Sequence, residues 1–136
     1  DDFDDSIPSS FDPEDEDFIQ VFAPVFERNS RWSELPSAPL LGDASTAFDE
    51  VAAFYNFWFD FKTWRDFADA DEYTLDDAGF REERRWMERQ NEKLRIKKRK
   101  EEKARLTKLV EVAYMHDPRV KQHKQALKDE KAKAKA

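Results

Sequence analysis

Eighteen of the 19 aromatic residues in this chain lie between Phe3 and Trp86, and that confinement decides where a core can form. Each large ring can bury roughly 150–250 Å². Charged residues make up 40% of the 136-residue sequence, enough to suggest disorder without those rings. The core therefore belongs to the first two-thirds. The last 50 residues hold one aromatic, Tyr114, and read as helix supported by other means.

Charge divides at nearly the same place. Residues 1–79 carry 21 acidic and 4 basic side chains, residues 80–136 carry 20 basic and 10 acidic ones, and the overall −7 hides the split. An acidic head with a basic helical arm suits contact with a polyanion.

Cysteine is absent, which removes disulfides and thiolate metal sites and fits a reducing compartment. The apolar runs are too short to span a bilayer and no signal peptide is visible. A first residue that is Asp rather than Met reads as a fragment of a longer chain.

Residues 1–12 read as an acidic extended segment. Asp12 offers an N-cap with Pro13 in the first helical position. Phe18, Val21, Phe22, Val25 and Phe26 then share one helical face, which Pro24 should kink or shorten. Residues 29–46 form an irregular connector whose Trp32, Leu35, Leu40 and Leu41 are expected to lie on the helices. Its Pro36-Ser37-Ala38-Pro39 has the spacing of a short proline ligand, a pattern common by chance. Thr46 and Asp49 have capping-box spacing. The helix they open is apolar nearly all round and is expected to be the buried centre, with a break near Asp60. Eight of the 14 residues from 54 to 67 are aromatic, yet their neighbours are acidic and their period helical, so they read as core rather than as a base-stacking platform.

From Leu75 to His116 there is no proline and one glycine, Gly79. A helix of about 42 residues would run about 63 Å, against a radius of gyration near 14 Å for a compact domain of this size. It is expected to project, with residues 97–103, KKRKEEK, having nothing in their own chain to pack on. Thr74 and Asp77 would cap it. Asp117 and Pro118 cap a last helix to about Glu130, followed by a frayed end.

Little here suggests catalysis. The run Asp69 to Phe80 fails as a calcium loop, with Thr74 where glycine belongs and Phe80 where glutamate belongs. His116 and His123 stand seven apart across Pro118 and read as two solvated side chains. There is no Gly-rich loop and no marked carboxylate pair. The chain reads as a non-enzyme with no cofactor and no metal.

The basic helix is the functional candidate. Arg81, Arg85, Arg89, Lys93 and Lys97 are successive i+4 residues forming a ridge about 24 Å long. Lys98, Arg99, Lys100, Lys103 and Arg105 widen it, with Arg84 and Arg95. Duplex nucleic acid carries roughly one charge per 1.7 Å of axis, which such side chains neutralise without reading sequence. Glu101 to Arg105 is the one clear pair with a glutamate four residues before a cation, the favoured order, so much of this charge lacks such a partner within the helix. Internal neutralisation by the acidic head is the competing account. Lys97-Lys98-Arg99-Lys100 also fits a weak nuclear import pattern.

The runs APVFERNSRWS (23–33), PSAPLLGD (36–43), VAAFYNFWFDFKTWRDF (51–67), REERRWMERQNEK (81–93) and RLTKLVEVAYMHDPRVK (105–121) resemble the zuotin homology domain. That domain occurs in J-domain subunits of ribosome-associated chaperone complexes. The resemblance implies a helical domain that docks on the large ribosomal subunit near the tunnel exit through rRNA and ribosomal proteins. It also implies that the helix around Arg85 to Arg105 carries the RNA contacts. The partner heat-shock chaperone would be engaged by parts of the parent outside this chain. The His-Pro-Asp tripeptide of J domains is absent, since His116-Asp117-Pro118 has another order.

The expected architecture is all-α: an acidic extended segment over 1–12, an aromatic-rich helical core over 13–80, a long basic helix over 75–116 and a C-terminal helix over 117–136. The expected function is ribosome anchoring of a co-chaperone that supports nascent-chain folding, as a cytoplasmic, ribosome-associated monomer without membrane contact, a nuclear role remaining open. The alternative is a protein-interaction module that binds acidic or basic protein surfaces, ribosomal proteins or histones among them, without touching RNA.

Overall fold

A computed structural model describes residues 6–135, so part of the expected extended segment, residues 1–5, and Ala136 of the expected frayed end lie outside the described residues. The described residues form four α-helices: α1 (Phe18–Ser30), α2 (Phe48–Phe59), α3 (Arg81–His116) and α4 (Pro118–Lys135). Two 3-10 turns cover Ala68–Ala70 and Leu75–Asp77. No strand occurs among the described residues, only an isolated antiparallel bridge between Ser33 and Thr63. None of the helices is long and apolar enough to cross a membrane. The fold is all-α. It resolves into two compact units, one made of the residues up to Thr63 with those from Thr107 onward, the other of Trp64–Leu106.

In the first unit α1 begins later than its sequence suggests. Asp17 is the N-cap and its carboxylate accepts from the Gln20 amide at 3.1 Å. Asp12 instead heads a turn, in which its carbonyl accepts from the Glu16 amide at 2.9 Å and its carboxylate from the Glu14 amide at 3.0 Å. Pro24 does not end α1, which runs on to Ser30. Proline removes one backbone donor, and buried Phe22, Val25 and Phe26 hold the helix to the core on both sides of it.

The core of this unit is aromatic. Phe22, Phe26, Phe54 and Trp58 are at most 2% exposed. Phe26 meets Phe54 edge-on at 4.9 Å and Trp58 at 5.0 Å, and Trp58 stacks on Phe61 at 4.7 Å. Leu109, Val110 and Ala113 of α3 and Val120 of α4 complete it. The α2 helix is not buried all round, since Phe59 is 46% exposed. Of the connector residues expected on the helices, Leu41 is buried and Trp32 half-buried, while Leu35 and Leu40 are exposed. Thr46 does not cap α2. Its hydroxyl accepts from the Asp43 amide at 2.9 Å, and Ala47 takes the N-cap position with no side-chain bond. Gly42 makes that turn possible: its φ is +80°, and a Cβ there would collide with the Thr46 side chain. Neither histidine is a free solvated ring. His116 packs on Phe11 with centroids 5.6 Å apart, and His123 stacks flat on Phe48 at 3.6 Å.

In the second unit the segment from Trp64 lines one side of α3. Phe67 holds φ +60°, a left-handed conformation that costs an L-residue roughly 1–2 kcal/mol. Its ring is buried, with the Arg65 guanidinium 4.4 Å from its centroid. The long helix begins at Arg81 rather than Leu75, because Leu75–Asp77 close a 3-10 turn and Ala78 is extended. At 36 residues it is about 54 Å long.

Candidate nucleic-acid interface

Helix α3 buries one face against the rest of the second unit. Met87, Asn91 and Glu102 are buried on it, with Arg95 half-buried beside them. Asn91 carries the tightest contact. Its Oδ1 accepts from the Glu72 and Tyr73 amides at 3.1 and 3.0 Å, and its Nδ2 donates to the Tyr73 carbonyl at 2.9 Å. One turn on, Arg95 clamps Asp71 bidentately at 2.7 and 2.5 Å. The hydrogen bonds from Arg95 hold the Asp71 carboxyl below its ordinary range, and the same bonds push the guanidinium further up. Near the end of this stretch Arg65 reaches Glu102 at 3.3 Å. Residues 97–103, expected to lack any partner in their own chain, therefore hold a buried carboxylate that pairs with Arg65.

The ridge read from the sequence lies nearly opposite. A helix turns roughly 100° per residue, so Arg81, Arg85, Arg89, Lys93 and Lys97 sweep slowly around the side away from Asn91 and Glu102. All five are exposed. None of them has a carboxylate within 4.0 Å among the described residues. Lys100 and Lys103 are exposed on the same side and likewise unpaired. The structure thus brings seven of the ten candidate cations onto one open surface.

The other three are engaged. Lys98 reaches Glu101 at 3.7 Å, Arg99 bonds Glu92 at 3.0 Å, and half-buried Arg105 lies 3.8 Å from Glu102. Arg84 reaches both Glu88 at 3.6 Å and Asp76 at 3.9 Å. The expected Glu101–Arg105 pair is replaced by Glu101–Lys98 and Glu102–Arg105 because Glu102 faces inward. A buried glutamate in a lysine-rich stretch leaves no periodic mark, so spacing alone could not find it. Asn91 was missed for the same reason: one polar residue in a polar helix.

Chemically, the open ridge can neutralise a line of phosphates. Arginine offers a planar fork for bidentate contact and lysine a point charge. No group of three or more His, Cys, Asp or Glu side chains among the described residues could hold a metal ion.

The family model for Zuotin-like proteins, zuotin homology domain, matches residues 17–121. The chain is 48% identical over 123 residues to DnaJ homolog subfamily C member 2 of Bos taurus, a stretch covering 90% of this chain and 20% of that protein. It is 47% identical over 123 residues to the Homo sapiens protein of the same name, again 90% of this chain and 20% of the relative. It is 42% identical over 111 residues to Zuotin of Saccharomyces cerevisiae, covering 82% of this chain and 26% of that protein. The chain spans about a fifth to a quarter of the length of these relatives. With ridge and aromatic core both inside the matched span, this chain belongs to the Zuotin-like family as a zuotin homology domain.

Proposed function

We propose that this chain is the ribosome-docking domain of a J-domain co-chaperone. It holds the large ribosomal subunit near the tunnel exit, with the ridge of α3 against rRNA phosphates and neighbouring ribosomal proteins in contact. The heat-shock chaperone partner is engaged by other parts of the parent, and the assembly works on nascent chains in the cytoplasm. Family membership supports the co-chaperone part of this reading. One observation carries the RNA part: five exposed cations without carboxylate partners, spaced along about 24 Å of the outward face of α3. If all five meet phosphates, affinity should fall by roughly four to five decades per tenfold rise in salt. The quadruple reversal Arg85→Glu, Arg89→Glu, Lys93→Glu and Lys97→Glu should abolish cosedimentation with ribosomes while circular dichroism stays helical. Retained cosedimentation removes the RNA-contact role.

A protein-interaction role has one observation in its favour. A pocket of about 300 Å³ in the first unit is lined by Leu35 and Phe57, with Glu34, Asp60 and Lys62 around it. It suits an apolar anchor on a basic protein surface. Binding to isolated ribosomal protein that survives nuclease treatment would favour this second role.

A further inference from the structure

Among the described residues of α3, Trp86 is the aromatic side chain that stands beside the basic ridge. It lies about 20° around the helix from Lys93 and Lys97 and about 60° from Arg89. Its ring is 44% exposed, whereas the rings of the core at Phe54 and Trp58 are hidden. It is not loose. Tyr73 meets it edge-on with centroids 5.0 Å apart. Tyr73 is itself fixed through its backbone, which exchanges two hydrogen bonds with Asn91. A half-exposed indole, pinned by a neighbouring ring and flanked by unpaired cations, is the arrangement that stacks a nucleobase while phosphates are held beside it.

We infer that Trp86 is a base-stacking contact, and that the RNA docked on α3 presents an unpaired nucleotide next to a helical stretch. The inference rests on the proposed RNA contact and sharpens it. A fully paired RNA helix offers no free base face, because its deep groove is closed to side chains and its bases are stacked on each other. Phosphate contacts alone would leave the exposed part of the ring uncovered. A bulged or looped-out nucleotide supplies the missing partner, and any base serves, since every base has a π-face.

The test compares two RNA hairpins of equal length, one fully paired and one carrying a single bulged 2-aminopurine, by anisotropy at fixed salt. The wild-type chain should bind the bulged hairpin about tenfold more tightly, within the range that one stacked base supplies. Binding should also quench the 2-aminopurine. Trp86→Leu should erase both the preference and the quenching while leaving affinity for the paired hairpin within about twofold, and Trp86→Phe should restore part of each. The quenching in wild type keeps the test decisive even where Trp86→Leu disturbs the Tyr73 contact. Equal binding of the two hairpins without quenching, or a preference that survives in Trp86→Leu, overturns the stacking role and leaves the phosphate ridge standing. Failure to bind either hairpin overturns both readings.

Discussion

Tyr55 and Asp117, 62 residues apart in sequence, meet through a 2.6 Å hydrogen bond from the phenol Oη to the carboxylate Oδ2. Both residues are buried. Asp117 also accepts from the Arg119 backbone amide at 2.9 Å and from its guanidinium at 2.8 and 3.0 Å. Arg119 in turn donates to the carbonyls of Leu41 and Asp43 at 2.7 and 3.2 Å. The Asp117–Arg119 pair thus joins α2, the start of α4 and the connector. Burial, then the hydrogen bond to Asp117, pushes the Tyr55 phenol well up, so it remains a neutral donor. Burial works against the charge on Arg119, and the bond and charge of Asp117 more than offset it.

This arrangement sets a large cost for Asp117→Asn. It leaves a guanidinium with 6% of its side chain exposed and no counter-charge, and breaking one partner of such a pair costs about 3–5 kcal/mol. Tyr55→Phe removes only a hydrogen bond to a charged group, about 1.5–3 kcal/mol. Urea denaturation should rank the two in that order. A loss below 1 kcal/mol for Asp117→Asn would mean that water reaches the pair.

Trp58→Ala should cost about 3–5 kcal/mol. The ring is 2% exposed, lies edge-on to Phe26 and stacks on Phe61. Leu40→Ala, at a side chain 72% exposed, should change stability by no more than about 0.5 kcal/mol. Thermal melting of the two variants checks whether the aromatic block is core. Similar melting points would put Trp58 on the surface.

The Asp71–Arg95 clamp should respond to acid. The folded carboxyl titrates below its ordinary 3.8 because Arg95 hydrogen-bonds the charged form. A depressed carboxyl contributes stability that is complete above the unfolded value and is lost as pH falls through the folded one. The contribution should therefore be constant at neutral pH and fade only below about pH 4. Hydrogen exchange at Glu72 and Tyr73 reports on it, because their amides bond Asn91 beside the clamp. In Arg95→Gln the acid-induced rise in exchange should disappear. An unchanged profile would show that Asn91 alone holds the segment.

Much of this was legible in the residues. Apolar patterning located α1 and α2, the absence of proline located α3, and the cap at Asp117 and Pro118 located α4. What stayed hidden depends on partners distant in sequence. Leu75 could have opened the long helix by composition; Ala78 breaks it, and nothing in the residue type says so. Asp117 reads as a helix cap and does act as one, yet it also accepts from Tyr55, 62 residues away, and its partner Arg119 reaches the Leu41 carbonyl, 78 residues away. The ridge itself was readable because exposed charge repeats with the helix. Which cations are free was not, because Arg95, Arg99 and Arg105 differ from Arg89 only in the carboxylates that folding brings near.

That difference gives the sharpest contrast. Arg89 and Arg95 are six residues apart on α3, on different sides of it. Arg89 is exposed with no carboxylate within 4.0 Å among the described residues, while Arg95 is 30% exposed and clamped to Asp71. Arg89→Glu should leave the urea midpoint almost unmoved, within about 0.5 kcal/mol, and should weaken ribosome binding and reduce the salt slope by about one. Arg95→Glu sets two carboxylates against each other. It should loosen the segment from Glu72 to Leu75 and lower the midpoint while leaving the salt slope of whatever remains folded unchanged. Measuring midpoint and salt slope for both variants separates binding charge from structural charge. If Arg95→Glu lowers the slope as much as Arg89→Glu does, the phosphates reach the inner face of α3 and the outward ridge is not the interface.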